Sequence, residues 1–196
     1  MEQKELSLLY LNRAVKYLHL AENVFGEMKK QGNNWLITSN KPIQDDDYNN
    51  LTKWSDFNII FPSLFIFYHG IELSIKGLLV LSNQNISKIH KFSILFNELK
   101  KQESIYSDTL NIIEKYISPS LITKTALGNW MKINNINMDN LHERLRYPTW
   151  GNGDITSTND FALKYKGEEI LPFINEISID IDKLRRLIVK QHRENK

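Results

Sequence analysis

Two groups of residues in this 196-residue chain have the types and the spacing to do chemistry. The first is His69, Glu72 and Lys76, set in the run FPSLFIFYHGIELSIKGLLVL at 61–81. At 100° per residue the three fall on one strip of a helix. Glu72 and Lys76 stand four apart in the favourable order for an ion pair, with His69 one turn upstream. Such a strip is either the water-facing edge of a buried helix or a site. The second group is His142, Arg144, Arg146 and Tyr147, in HERLRYP at 142–148. His142 and Arg146 are four apart and share a face. A cation beside an imidazole is what metal-independent RNA cleavage needs. The imidazole moves a proton between the 2′-OH and the leaving oxygen, while the guanidinium holds the charge of the phosphorane. The bland alternative is a pair of basic groups favourably placed at a helix C-terminus.

Other familiar chemistry is absent. No Gly-rich phosphate loop precedes a helix, and there is no His-Glu-x-x-His and no serine nucleophile elbow. Gly151-x-Gly153 follows an irregular segment and reads as a turn. No cofactor is expected, and no metal ligands are assigned. The run Asp45, Asp46 and Asp47 could suggest a divalent ion, but it reads better as the acidic first turn of a helix. With no cysteine, disulfides and thiolate metal sites are excluded, in keeping with a cytoplasmic home. A net charge of +2 gives no bulk field for gathering nucleic acid, so any RNA contact must come from a local patch.

The elements that must position these residues are helical. The run at 61–81 is the most apolar in the chain and too long for an ordinary strand, so it predicts a buried helix with Pro62 in its first turn. His69, Glu72 and Lys76 in its middle argue against a membrane span, since each would cost roughly 2.5–3.5 kcal/mol there. Gly70, Ser74 and Gly77 form a second strip, where another helix can come close. Residues 2–30 predict a first long helix with Leu8, Leu11, Val15, Leu18, Ala21, Phe25 and Met28 at steps of three and four. Its charges run through what would be the apolar part of a signal peptide, so secretion is not expected. Residues 32–60 read as a long connection with a short helix near 46–55.

Downstream, Phe92, Leu95, Phe96 and Leu99 mark a third helix, and a fourth runs over about 108–117 and stops before Pro119. Helix is expected at 120–133, with Leu121, Leu127, Trp130 and Met131 packing, and again at 137–146. Residues 149–160 read as a turn-rich loop or small hairpin. The last helix, about 168–192, sets Ile170, Ile174, Ile177, Ile181, Leu184 and Ile188 at alternating steps of four and three, a heptad seam. Together with the small-residue strip, this seam predicts a homodimer. The chain reads as one all-α domain.

The pattern YHGIELSIKGLL at 68–79, followed by HKFSILFNEL at 90–99, resembles the core of the HEPN superfamily, small helical domains with a Glu-Leu-x-x-Lys core helix and a His opening the next helix. Arg146-Tyr147-Pro148 is similar to a motif in many bacterial members. The resemblance implies an up-and-down helical bundle that commonly dimerises, in a prokaryotic toxin–antitoxin, abortive-infection, CRISPR-linked or other RNA-targeting setting. It implies a binding role toward RNA, a nucleotide or a partner protein, or metal-independent endoribonuclease activity. His90, by the same resemblance, caps and orients the third helix. Catalytic members carry an Arg, four to six residues, then a His in the second half of the domain, and no such His follows Arg144 or Arg146. Arg13 and His19 have that spacing but lie about 240° apart on the first helix. Arg185 and His192 share a face on the last helix and are the remaining catalytic candidates.

Overall fold

The computed structural model describes residues 2–85, 88–147 and 159–194, and every regular element among them is helical. In order these are α1 (Gln3–Lys30), α2 (Asp45–Thr52), α3 (Asp56–Leu81), α4 (Phe92–Lys100), α5 (Ser107–Ile117), α6 (Pro119–Ile122), α7 (Ala126–Ile133), α8 (Leu141–Arg146) and α9 (Leu171–Glu194), with 3-10 turns at Asp160–Ala162 and Gly167–Ile170. The expected all-α bundle is what forms. Of the insertion predicted at 149–160, residues 149–158 lie outside the described residues.

Helix α1 lies along both α3 and α9. Leu11, Leu18, Phe25 and Met28 supply its buried face, with Ala14 and Ala21 between them. Leu8, expected on that face, sits past the edge of the arc and is exposed. The small-residue strip of α3 is where α1 comes closest. A Cβ on Gly77 would stand 2.5 Å from Leu11 Cδ2, and one on Gly70 would stand 2.9 Å from Leu18 Cδ2. Ser7 Oγ donates across the same contact to the Gly77 carbonyl at 3.0 Å. The expected heptad seam is likewise buried at all six positions, five on α9 and Ile170 in the 3-10 turn just before it. Both faces that predicted a homodimer are therefore covered inside the chain.

Helix α3 begins at Asp56, five residues before the apolar run, so Pro62 lies in its second turn rather than its first. Pro62 is exposed, which confines its missing N–H to the outer side of the helix. The earlier start is set by partners distant in sequence. The buried Asp56 carboxylate accepts from the backbone N–H groups of Tyr165 at 3.0 Å and Lys166 at 2.7 Å, and from Asn33 Nδ2 at 3.0 Å. Asn33, with φ of +54°, also accepts the Asp56 N–H through Oδ1. A carboxylate in the first turn is favoured by the helix dipole, and here it also ties three segments together. Among the described residues one helix, α3, is long and apolar enough to cross a membrane, but 78% of its most apolar window is buried within the bundle, as a core helix is.

The helix expected at 120–133 is two. Thr125 breaks it, its Oγ1 accepting from the Gly128 N–H at 3.1 Å. A Cβ on Gly128 would fall 2.0 Å from the Ile122 carbonyl oxygen, so the reversal needs glycine there. Leu121 ends up exposed, whereas Leu127, Trp130 and Met131 pack as expected. Helix α8 starts later than expected because Asn137 and Asn140 form a turn first, each accepting the other's backbone N–H at 3.0 Å. Asp45, Asp46 and Asp47 occupy the first turn of α2.

Candidate functional site

The two chemical groups of the sequence meet in space. Helix α8 packs across α3, carrying His142 and Arg146 to the strip that bears His69, Glu72 and Lys76. The connection before α4 adds His90. At the base lies a buried ion pair: Lys76 Nζ donates to Glu72 Oε1 at 2.7 Å, the two side chains being 7% and 3% exposed. His90 Nδ1 meets the same oxygen at 2.9 Å. Glu72 Oε2 faces His69 Nδ1 at 3.9 Å, too long for a hydrogen bond. The helical strip is thus neither a solvated edge nor inert core. It is a buried pair whose outer side supports histidines.

Above the pair sits a layer of rings. His142 lies 6.2 Å from His69 and 6.3 Å from His90, centroid to centroid, and is nearly parallel to His90. Phe65 packs against both His142 and His69, and Tyr17 of α1 meets His69 edge-on at 4.7 Å. Arg146, exposed, places its guanidinium over Phe65 at 5.7 Å and over Tyr147 at 5.4 Å. These cation–π contacts hold it at the rim.

The electrostatics follow from this layering. Burial alone would raise the Glu72 carboxyl, but the hydrogen bond and charge of Lys76, then those of His90, outweigh it and hold the group below its ordinary value. Burial pushes His69 and His142 down, and the positive charge of Arg146 adds to that, against the opposing pull of Glu72. Both imidazoles therefore favour the neutral form, able to take up a proton or to offer a lone pair. Since Lys76 already balances Glu72, the outward face built by the described residues carries Arg146 and three imidazoles. It suits an anion.

The remaining candidates lie elsewhere. Arg144 sits about 200° round α8 from His142, so it belongs to a different face. Arg185 is bound to Glu22 of α1. Seven residues of helix put His192 about 10 Å further along, near the end of α9, so these two do not form a site with the cluster. Open grooves of about 650 and 680 Å³ run beside α9 and include Arg185, but neither takes in His69, Glu72 or His142. His90 does not cap α4, whose N-cap, Lys91, makes no side-chain bond. The first turn of α4 is instead held by Asp139, which accepts from the Ser93 N–H at 2.8 Å and from Ser93 Oγ at 2.6 Å. His90 is released to serve Glu72. That role, and the parts of Phe65 and Tyr17, could not be read from spacing, because they depend on how α1, α3 and α8 cross.

Comparison of the chain with protein-family models, curated proteins and solved structures finds no match.

Proposed function

We propose that this chain is a HEPN-like module of a prokaryotic defence or toxin-type system, working in the cytoplasm, and that its α3–α8 face binds RNA through a backbone phosphate. The observation that carries the reading is the convergence of Arg146 with His69, His90 and His142 over a Glu72 already balanced by Lys76. An arriving phosphate meets a fixed cation and imidazoles that its own charge encourages to take up protons. Tyr147, exposed, and Tyr17 border the face with rings on which a base can stack. The HEPN reading is supported by Glu72, Lys76 and His90, which carry the sequence resemblance, with Lys76 and His90 both meeting Glu72.

A second reading, metal-independent cleavage, is favoured by the placement of His69 beside His142. One neutral imidazole would accept the 2′-OH proton as the 2′-oxygen attacks phosphorus, a protonated one would donate a proton to the 5′-oxygen as its bond to phosphorus breaks, and Arg146 would hold the charge of the phosphorane. The test is fluorescence anisotropy of a labelled single-stranded RNA in EDTA at low salt, with a mononucleotide as competitor. Binding should weaken with rising salt and fall at least about tenfold in Arg146→Ala. Absence of binding, or binding indifferent to Arg146→Ala and His142→Ala, refutes the proposal. RNA cut in EDTA by the wild type and left intact by His142→Ala or His69→Ala would establish the second reading.

A further inference from the structure

The donor set beneath that face has a second use. One ring nitrogen from each of His69 and His142 and one carboxylate oxygen of Glu72 lie within 4.8 Å of one another, the one such gathering of three among the described residues. We infer that His69, Glu72 and His142 form a two-histidine, one-carboxylate site for a first-row divalent ion of the zinc type.

Three observations besides proximity point the same way. His69 and Glu72 are spaced i, i+3 on α3, which sets both side chains on one face, the spacing by which helices present a carboxylate and an imidazole to a shared metal. His69 Nδ1 is buried and makes no hydrogen bond among the described residues, with Glu72 Oε2 as its neighbour at 3.9 Å. Finally, Glu72 divides its two oxygens between two tasks. Oε1 is held by Lys76 and His90, while Oε2 is left turned toward the imidazoles. A carboxylate anchored through one oxygen by neighbouring donors is how metal ligands are held in orientation.

Imidazole nitrogen with a single carboxylate is the donor chemistry of zinc, nickel, copper or iron(II), and it is poor for magnesium or calcium, which take oxygen. Three protein ligands leave at least one position open, as in sites that bind an exchangeable water or anion. At Zn–N and Zn–O lengths of about 2.0–2.2 Å, donors stand about 3.3 Å apart, so closing round an ion asks each side chain to move about 1 Å. His69 and His142 are only half-buried and can rotate that far. The positive charge of Arg146 works against the bare ion and in favour of an anion on its open position. The inference needs only these three donors and does not rest on RNA binding, which is assayed in EDTA.

The test is a calorimetric titration of the purified protein with zinc chloride, with cobalt(II) as a visible probe of coordination. Wild type should take up one equivalent, and His142→Ala should lose at least about tenfold in affinity. Because His69 and Glu72 sit against the core, the decisive variant is His142→Ala, whose fold is checked by circular dichroism. His19→Ala is the control, since His19 and Glu22 form a separate exposed pair at 3.3 Å. Saturable binding lost in His142→Ala and kept in His19→Ala, with cobalt(II) bands that shift on adding phosphate, supports the site. No saturable binding, or binding lost in His19→Ala and unchanged in His142→Ala, overturns it.

Discussion

Replacing Lys76 with Met removes the ammonium from Glu72 Oε1 while nearly conserving side-chain volume. The pair is 2.7 Å apart and both side chains are almost fully enclosed, so water cannot take the place of the lost donor. Breaking one partner of such a pair costs about 3–5 kcal/mol, because a charge is left buried. His90, 65% exposed, still reaches the carboxylate, which places the expected loss near the lower end, about 3 kcal/mol. With a urea slope of about 2–3 kcal/mol/M, the midpoint should fall by about 1 M. Two further signatures separate this cause from general damage. In the variant, burial of the Glu72 carboxyl is opposed by His90 alone, so its pKa should rise relative to wild type and the folded variant should take up the proton more readily. Its deficit should then shrink as pH falls from 7 toward 5. The double change Glu72→Leu/Lys76→Met should be closer to wild type than Lys76→Met alone, since no buried charge remains. Urea titrations at two pH values measure all three. A single variant within about 1 kcal/mol of wild type, or losses that simply add in the double, would refute the buried-pair account.

Three other perturbations test the surroundings. Gly77→Ala forces a Cβ into Leu11 and toward its backbone nitrogen at 3.2 Å, so thermal unfolding should show a loss of about 1–3 kcal/mol, and an unchanged midpoint would mean α1 yields there freely. Asp56→Ala strips the acceptor from two part-buried backbone N–H groups and from the buried Asn33, and should cost about 2–3 kcal/mol by urea titration, with Asp56→Asn recovering only part. The wild type itself should weaken in acid. His69 and His142 are held below their ordinary 6.5, so below that pH the unfolded chain binds protons that the folded chain refuses. Glu72, also held low, adds a loss beneath the carboxylate value of 4.5, as pH falls through its folded pKa. Midpoints that stay flat from pH 7.5 to 5 contradict the first of these.

What the sequence showed and what it hid divide along one line: contacts within an element were legible, and contacts between elements were not. Periodicity located α1, α3 and α9 and the buried positions of the heptad seam, because a repeat of three and four residues is a local property. It placed Glu72 and Lys76 together for the same reason. The start of α3 lies five residues before the apolar run because it is fixed by Asn33 and the backbone at Tyr165 and Lys166, 23 to 110 residues away. The strip of Gly70, Ser74 and Gly77 is a close-approach surface, as its small residues imply, and its partner is α1 of the same chain. His142 and Arg146 drew notice through their own spacing. That they join His69 follows from the crossing of α8 over α3, which no spacing encodes. His90 was recognised through resemblance, and its bond to Glu72 emerged only with the fold.

The most direct measurement of the central claim is the histidine side-chain NMR spectrum, followed as a short single-stranded RNA is added in EDTA. The chain has five histidines, so each imidazole can be assigned by single substitution. The account predicts that RNA moves the signals of His69 and His142 and raises their pKa values toward the ordinary imidazole range. His19, on α1 beside Glu22, should stay where it is, and the response should vanish in Arg146→Ala. Signals of His69 and His142 that stay put while RNA binds, or a response confined to His19 or His192, would contradict it.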